Sequence, residues 1–334
     1  MKAAHVVLSH AHLDHLGGIF GHARAHGMVC GGSTPTYYIP HELVPKIQQA
    51  RELFSDIDST CRTDPESQGL KSKRNKGLLK MNIIPVKAGD EIEIQQTKIH
   101  GNVRYYLRPF EVSHCGHPAY GYNLISKVTK RKLKDEYVGK EGKELGKLAR
   151  SGVEINTVET IERIEALYTG DTNIDGLTLS SLSTEENDEN ENDTASQCRK
   201  YLQEGFTAPL VMCELTYLLE SEKELAKERG HLNLFDIEPI LDSHKSATKQ
   251  SDDDTNNATT KQKFVFYHLS TRGKTAENIL QSMANVLPED VAKRCNVALA
   301  SFPSSTVTHL IKENGCISVK EYMDHAVQQQ KISP

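Results

Sequence analysis

The sequence predicts an α/β fold, because apolar stretches of strand length alternate with helical patterns along the chain. Residues 163–168, 210–215 and 264–268 are short apolar runs that end in polar or glycine-containing turns, as buried strands do. Helical patterns at residues 221–228 and 275–286 follow the last two of these runs. Strands that alternate with helices in this way indicate helices layered against a sheet.

The N-terminal part of the chain adds further strands to this arrangement. Residues 5–9 predict a short buried strand, which ends at a cluster of histidines. A helix is expected to begin near residues 17–20, and residues 81–86 and 98–100 predict two more strands. We therefore expect a single domain over residues 1–334, a length that one large α/β domain can fill.

Composition places the chain among globular proteins and excludes several other classes. Hydrophobic residues make up 37% of the sequence, and the net charge of −5 means that a nucleic acid would need a local basic patch. The seven cysteines include no Cys-x-x-Cys pair, which argues against a disulfide framework or a thiolate zinc site. This pattern indicates a reducing, intracellular compartment, whether cytoplasm, nucleus or organelle. No apolar run approaches the length of a membrane span.

Three polar segments interrupt the apolar pattern. Residues 183–194 and 243–263 lack the apolar content that would offset the entropy of ordering, so we predict disordered insertions there. Residues 127–150 carry nine basic residues against four acidic ones. This basic segment fits either a solvated helix face or a basic arm, inserted in the domain, that contacts phosphates.

A cluster of side chains suited to metal binding directly follows the first predicted strand. His10, His12, Asp14 and His15 fall within six residues. Alternation along an extended segment points His10 and His12 to one side, while Asp14 and His15 on the following turn can face a second metal ion. Imidazole and carboxylate groups without thiolates suit zinc in a hydrolytic site.

Three further residues near predicted strand ends supply the remaining ligands. His114 follows the strand-like residues 110–113, Asp171 lies in a glycine turn after a strand, and His268 ends an apolar run. His117 lies close to His114 and is the alternative ligand at that position.

We expect these residues to bind two Zn²⁺ ions. The first ion is assigned to His10, His12 and His114, the second to Asp14, His15 and His268, and both to a bridging Asp171. Two ions roughly 3.5–4 Å apart can lower the pKa of a shared water and stabilise both the attacking and the leaving oxygen of a displacement at phosphorus. The residues therefore predict a two-metal hydrolase.

The order and detail of these motifs resemble the metallo-β-lactamase superfamily and, within it, the ribonuclease Z branch of tRNA 3′-processing endonucleases. The similar segments are residues 9–18, 35–40, 108–110, 121–122, 168–172, 214–217, 228–233 and 268–272. The histidine-rich segment is typical of the whole superfamily, whereas the Gly230–His231 pair together with Glu214 and Thr216 is typical of the ribonuclease Z branch. The resemblance implies a four-layer αββα sandwich, removal of the 3′ trailer from precursor tRNA, and a homodimer.

The resemblance also implies catalytic roles for three residues. Asp14 matches an aspartate that takes part in proton transfer, and His231, supported by Glu214, matches the histidine that protonates the leaving 3′ oxygen. A carboxylate that orients an imidazole and raises its basicity suits that role. The alternative is a helix-capping His231 beside a surface Glu214. Residues 127–150 match in position the arm with which ribonuclease Z proteins hold the tRNA elbow.

The chain also departs from the family pattern. The family usually has several strands before the metal motif, so we expect the first N-terminal strands of one sheet to be absent. Two other functions would use the same metal ligands: hydrolysis of a small phosphodiester or thioester, which needs no basic arm, and a truncated, non-catalytic metal-binding protein.

Overall fold

Two β-sheets lie at the centre of the protein. The computed structural model describes residues 2–60, 79–94, 103–178, 189–243, 262–270, 275–299 and 316–332. Within these ranges the smaller sheet has three parallel strands in the order β1-β2-β3, which are β1 (His5–Val7), β2 (Thr36–Pro40) and β3 (Asn82–Val86). Strand β2 is central and buried along its whole length, as expected for a parallel strand that is covered on both faces.

The larger sheet has eight strands among the described residues, in the order β11-β10-β9-β8-β7-β6-β5-β4. These strands are β4 (Ile92–Glu93), β5 (Val103–His114), β6 (His117–Leu133), β7 (Asn156–Tyr168), β8 (Leu210–Glu214), β9 (Lys263–Tyr267), β10 (Cys295–Ala298) and β11 (Cys316–Ser318). Strands β4 to β7 are antiparallel neighbours, β7 to β10 are parallel, and β11 is antiparallel to β10. Strands β5, β7, β8 and β9 therefore all run in one direction.

Helices follow or separate these strands. Within the described ranges they are α1 (Leu13–Leu16), α2 (Ile19–Val29), α3 (Val44–Thr60), α4 (Gly142–Arg150), α5 (Ile174–Thr178), α6 (Glu189–Gly205), α7 (Lys223–Glu228), α8 (Leu234–Ser243), α9 (Ala276–Val286), α10 (Glu289–Ala292) and α11 (Val319–Ile332). Single 3₁₀ turns occur at His41–Leu43, Asp135–Tyr137 and Glu220–Glu222. Helix α9 shows why such segments are helical: Thr275 caps its first turn, and Ile279, Leu280 and Met283 bury one apolar face.

Three apolar clusters show that the elements form four layers. The cluster between the two sheets contains Tyr38 and Val86 of the small sheet and Leu107, Tyr120 and Tyr122 of the large one. A second cluster packs α2 and α3 on the outer face of the small sheet, and a third packs α6, α8, α9 and α11 on the outer face of the large sheet. The architecture is thus the expected αββα sandwich.

Strands β6 and β7 extend beyond the large sheet as a two-stranded ribbon. Among the described residues, pairing of β6 with β5 ends at Val128, whereas its pairing with β7 continues to Leu133. The 3₁₀ turn Asp135–Tyr137 and helix α4 connect the two strands, and all of α4 is exposed or half-buried. We call residues 129–160 the arm; it includes most of the basic segment that the sequence analysis placed at residues 127–150.

The structure differs from the sequence-based expectation in one of the polar segments. Residues 189–194 lie in helix α6, although the sequence predicted a disordered insertion over 183–194. This helix buries Cys198, Tyr201 and Leu202 against the large sheet. Because adding residues to a helix that is already formed costs little, the polar residues before this packed part are helical as well. Residues 183–188, most of the predicted insertion at 243–263, and the strand predicted at 98–100 lie outside the described residues.

Strand β7 is longer than the run that the sequence predicted. Strand β7 begins at Asn156, well before the predicted run at 163–168, because its first half belongs to the exposed ribbon and has no apolar pattern. Among the described residues, no helix combines the length and the apolar character needed to span a bilayer.

Candidate metal centre

The side chains of the predicted site lie at one edge of the two sheets. Because β5, β7, β8 and β9 run in the same direction, their carboxyl ends meet at that edge. His114 ends β5, Asp171 follows β7, Glu214 ends β8 and His268 follows β9. The segment 10–15, which follows β1 of the small sheet, faces them across the edge.

Hydrogen bonds from the large sheet hold the segment that carries His10. The Tyr122 hydroxyl donates to the Leu8 carbonyl at 2.8 Å, and the Tyr120 amide donates to the Ser9 carbonyl at 3.0 Å. The Ser9 hydroxyl lies 3.0 Å from Nδ1 of His10. This contact occupies one ring nitrogen of His10 and leaves Nε2 facing the centre of the site.

Neighbouring groups also fix which ring nitrogen of His114 and His268 faces the site. Nδ1 of His114 lies 2.7 Å from the Gly230 carbonyl; since a carbonyl only accepts, Nδ1 carries the proton and Nε2 carries a lone pair. That Nε2 lies 3.0 Å from Nδ1 of His12. Nδ1 of His268 likewise contacts the Thr216 hydroxyl at 3.0 Å. A hydrogen-bond partner on the ring nitrogen that faces away from the site is typical of a histidine that binds a metal through its other ring nitrogen.

The structure brings the predicted ligands together in the two groups that the sequence analysis proposed. The ligand atoms of each group lie within 4.8 Å of one another, and the groups are His10 with His12 and His114, and Asp14 with His15 and His268. Asp171 forms further groups of this kind with His10 and His15 and with His114 and His231. Asp171 therefore lies between the two sets.

The surroundings of the Asp171 carboxylate show whether a metal ion fits this arrangement. Its side chain is 1% exposed, and neither carboxylate oxygen makes a hydrogen bond of good geometry within the described residues. Nε2 of His15, His268 and His10 lie 3.1, 3.3 and 3.9 Å from its Oδ2. Two ligands at about 2.0–2.1 Å from one tetrahedral zinc ion are themselves about 3.3 Å apart. The spacing and the unsatisfied buried atoms, which include Nε2 of His10, fit a metal-binding site.

The charge states of these groups also suit metal binding. Burial and the neighbouring His15 lower the pKa of His10 to about 3, and burial is also the main cause of the lowered pKa values of His12 and His114. Neutral imidazole is the form that binds metals. Burial by itself raises the pKa of Asp171, but the surrounding histidines, His15 first, outweigh it and lower the pKa to about 2. Asp171 is therefore ionised at neutral pH.

The buried Glu214 and the half-buried His231 form a pair beside the two groups. Nδ1 of His231 lies 3.2 Å from Oε1 of Glu214, which also accepts from the Leu232 amide at 2.8 Å. The Thr216 hydroxyl donates to Oε2 at 3.0 Å. Glu214 is fully buried, and this burial, with the charge of Asp171, raises its pKa well above the ordinary value. Burial also lowers the pKa of His231. The ring centroid of His231 is 5.0 Å from those of both His114 and His268.

Backbone conformation places three of these side chains. Gly170 precedes Asp171 with φ +65°, and a Cβ at this glycine would come within 2.6 Å of the Tyr120 carbonyl oxygen. Gly230 precedes His231 with φ +67° and approaches the backbone next to His114 equally closely. His268 itself has φ +59°, a conformation that is costly for a non-glycine residue and is found at functional sites.

The site thus contains all nine residues selected from the sequence, although their roles as ligands or catalysts stay predictions. His117, the alternative to His114, is exposed and shares no ligand group with His10 and His12 within the described residues. Glu214 is buried and not on the surface, contrary to the alternative considered for it. The sequence analysis gave no role to Ser9, Thr216 or the Gly230 carbonyl. The Glu-x-Thr spacing at 214–216 was the one signal that pointed to Thr216.

Comparisons with known proteins give three relatives in plants. A chloroplastic tRNase Z of Arabidopsis thaliana is 29% identical over 53% of this chain, a second tRNase Z of Arabidopsis thaliana is 26% identical over 69%, and a nuclear ribonuclease Z of Triticum aestivum is 32% identical over 45%. The chain spans 44% and 65% of the lengths of the two Arabidopsis proteins and 70% of the wheat protein. No protein-family model matches the chain.

Two solved structures show a weak similarity to the chain. The short form of human tRNase Z has a TM-score of 0.37 and 13% identity, covering 80% of this chain and 73% of that one. Unliganded yeast PDE1 has a TM-score of 0.41 and 14% identity, covering 88% of this chain and 66% of that one. Similarities of this size assign neither a substrate nor a site residue.

Proposed function

Since the chain belongs to the ribonuclease Z family of the metallo-β-lactamase superfamily, we propose that it is a zinc-dependent endonuclease that removes the 3′ trailer of precursor tRNA. One observation carries the proposal: two groups of residues that could hold a metal lie on either side of the buried carboxylate of Asp171, with the His231–Glu214 pair directly beside them. Hydrolysis of a phosphodiester needs a site that holds the phosphate oxygens and a group that protonates the leaving oxygen. Candidates for both the phosphate-binding site and the proton donor lie at the same edge of the sandwich.

The proposed ligand set follows the geometry of the site. His10, His12 and His114 would hold one Zn²⁺ ion, Asp14, His15 and His268 would hold the other, and Asp171 would contact both. Imidazole and carboxylate donors without thiolates suit zinc in a catalytic site. When bound, the pair of ions would activate water and stabilise the negative charge that develops on the phosphate oxygens.

Residues of the chain supply the proton transfers. We assign proton donation to the leaving 3′ oxygen to His231, because Glu214 holds its Nδ1 and leaves Nε2 for the substrate. The amide of Leu232 and the hydroxyl of Thr216 fix the Glu214 carboxylate in this orientation. Asp14 is assigned to accept the proton of the attacking water, and its carboxylate, 66% exposed, can pass that proton to solvent.

The arm supplies a reason to prefer RNA over a small substrate. Helix α4 and its flanking turns present Lys140, Lys143, Lys147 and Arg150 on an element that is exposed and lies outside the packed layers. A net charge of −5 leaves no general attraction for nucleic acid, so a local basic element is needed. Contacts of this kind would bind backbone phosphates by shape and charge and not by sequence.

The test is incubation of the zinc-loaded protein with a precursor tRNA that carries a labelled 3′ extension. We expect one cut 3′ of the discriminator nucleotide and a product with a 3′ hydroxyl. Absence of this product, with full zinc occupancy verified, would overturn the proposal. Hydrolysis of bis(p-nitrophenyl) phosphate without binding of precursor tRNA would instead indicate a hydrolase of small phosphodiesters, and failure to retain zinc would indicate a non-catalytic protein.

A further inference from the structure

A network of charged side chains joins the base of the arm to the body of the protein. Arg108 of β5 lies at its centre: its Nε and Nη2 contact Oε2 of Glu91 at 2.8 and 2.5 Å, and its Nη1 contacts Glu162 of β7 at 2.7 Å and Glu204 of α6 at 3.4 Å. Lys127 of β6 contacts both Glu91 and Glu162. Arg108 of β5 therefore joins β7, α6 and the turn before β4, and Lys127 of β6 contacts two of the same glutamates.

The network is partly shielded from solvent, unlike an ordinary surface ion pair. The Arg108 side chain is 9% exposed, and its guanidinium lies 5.2 Å from the centre of the Tyr201 ring of α6. The fork geometry of arginine makes several charge-assisted hydrogen bonds at once, which fixes direction as well as distance. The Tyr201 hydroxyl donates to the Gly89 carbonyl at 3.2 Å and ties the same helix to the turn that carries Glu91.

The position of the network along the strands gives it a mechanical role. Val128, one residue after Lys127, is the last position at which β6 pairs with β5 in the described residues, and from Thr129 to Leu133 the described partner of β6 is β7. A two-stranded ribbon is marginally stable by itself, so its direction depends on how its base is held. Strand β7 then continues from Glu162 to Tyr168, roughly 20 Å away, and leads directly into the turn of Asp171.

We propose that Arg108 is a positioning residue that fixes the direction of the arm relative to the candidate metal centre. The inference rests on the proposed function, because a substrate held at both places requires a fixed separation between them. A rigid connection between two contact sites raises the effective concentration of the second contact once the first is made. Lys127, one of the nine basic residues in the segment 127–150, belongs to this connection.

The first test measures the arm without reference to activity. Amide hydrogen exchange of the strand segments 129–133 and 156–160 is compared in the zinc-loaded wild type, Arg108→Gln and Arg104→Gln. Arg104 is the matched control, since it lies on the same face of β5 and its ion pair within the described residues is an exposed one, with Glu93 at 3.4 Å. We expect faster exchange in Arg108→Gln alone, and equal exchange in all three proteins would overturn the proposal.

The second test separates positioning from general stability. In Arg108→Gln we expect KM for precursor tRNA to rise on the order of tenfold, with turnover of bis(p-nitrophenyl) phosphate unchanged. Parallel loss of both activities would mean that Arg108 only stabilises the fold, and would overturn the proposal. The Glu162 side chain is 39% exposed, so Glu162→Gln should raise KM for precursor tRNA by a smaller factor. This variant replaces Arg108→Gln in the test if Arg108→Gln does not fold.

Failure of this inference can be distinguished from failure of the proposed function. A wild-type protein that leaves precursor tRNA intact would refute the function, while the exchange experiment would still decide whether Arg108 holds the arm. Normal processing by Arg108→Gln, with unchanged KM, would refute the positioning role and leave the function intact.

Discussion

At the scale of single residues, the candidate centre is defined by histidine ring nitrogens that face one another at hydrogen-bond distance. Nε2 of His114 and Nδ1 of His12 are 3.0 Å apart, and the Gly230 carbonyl requires the proton of His114 to be on the opposite nitrogen. Nε2 of His114 therefore offers a lone pair, which either a proton on Nδ1 of His12 or a metal ion can meet. The lowered pKa values of both histidines, caused mainly by burial, favour neutral rings at neutral pH, the form that binds a metal.

Replacement of His114 should therefore remove one zinc ion, whereas replacement of His117 should not. His114→Ala deletes a buried member of the group with His10 and His12, while His117 is exposed at the other side of the same turn. Zinc content after dialysis, measured by atomic emission, should fall from two ions to one in His114→Ala and stay at two in His117→Ala. The opposite result would assign the ligand to His117.

Replacement of His231 should reduce turnover while leaving zinc bound. Nδ1 of His231 is already held by Glu214, and loss of a general acid typically costs about 10²–10⁴-fold in rate. We expect this loss in kcat for precursor tRNA in His231→Ala and a smaller loss in Glu214→Gln, which leaves the imidazole in place. Loss of a zinc ion in His231→Ala would show that this histidine is a ligand, as its proximity to His114 and Asp171 allows.

At the scale of elements, helix α4 carries charge without adding to the core. Lys143 and Lys147 are both exposed on this helix. Their joint replacement by glutamine should raise KM for precursor tRNA and reduce the slope of log affinity against log salt by about one for each phosphate that the lysines neutralise. Lys293→Gln, an exposed lysine after α10, is the control and should change neither quantity. An unchanged salt slope in the α4 variant would exclude this helix from the RNA interface.

The network at the arm base should make the arm sensitive to acid. Burial tends to raise the pKa values of Glu91 and Glu162, but Arg108 and Lys127 outweigh it, so that both carboxyl groups have lowered pKa values in the folded protein. Their contribution is therefore complete above the ordinary pKa of 4.5 and is lost as pH falls through the lowered values. Exchange of the arm strands, corrected for intrinsic rates, should be faster at pH 3.5 than at pH 6. Protection that is equal at both pH values would contradict this expectation.

Elements also show what the sequence could predict. Strands β8 and β9 and helices α7 and α9 were predicted within a few residues, because a buried face imposes a local apolar period. The first half of β7 was not predicted as a strand. The N-terminal turns of helix α6 were predicted as part of a disordered insertion. The ribbon in β7 is exposed on both faces and has no apolar pattern, and the polar turns of α6 are helical only because its later residues pack on the sheet.

At the scale of the whole molecule, the candidate metal ligands could be selected from the sequence, whereas the contacts that support them could not. His10 to His15 form a dense local motif, so six residues identify it. By contrast, Arg108 meets Glu91, Glu162 and Glu204 only because β5, β7, α6 and the turn before β4 converge, and nothing in the spacing of these residues along the chain indicates it. Contacts between residues distant in sequence carry no local signal, which is why the ion network and the role of Thr216 required the folded structure.

The candidate metal centre also lies between the two sheets of the sandwich, so a bound metal should stabilise the whole fold. The segment 10–15 follows β1 of the small sheet, whereas His114, Asp171 and His268 follow strands of the large sheet. An ion held by both sets binds the folded chain and not the unfolded one. At about 1,000 times its Kd it contributes about 4 kcal/mol, which for a chain of this length is a rise in Tm of about 6 °C.

Removal of zinc should therefore lower Tm reversibly. Differential scanning calorimetry before and after dialysis against a chelator, and again after zinc is restored, measures the change. His10→Asn should have a low Tm that zinc raises only slightly, because Nε2 of His10 is one of the buried atoms that lack a partner in the described structure. His41→Asn, at a partly exposed histidine on the 3₁₀ turn His41–Leu43, is the control and should respond to zinc like the wild type. A Tm that is independent of zinc in the wild type would mean that the two sheets hold together without a metal between them. It would contradict a metal centre that stabilises the fold.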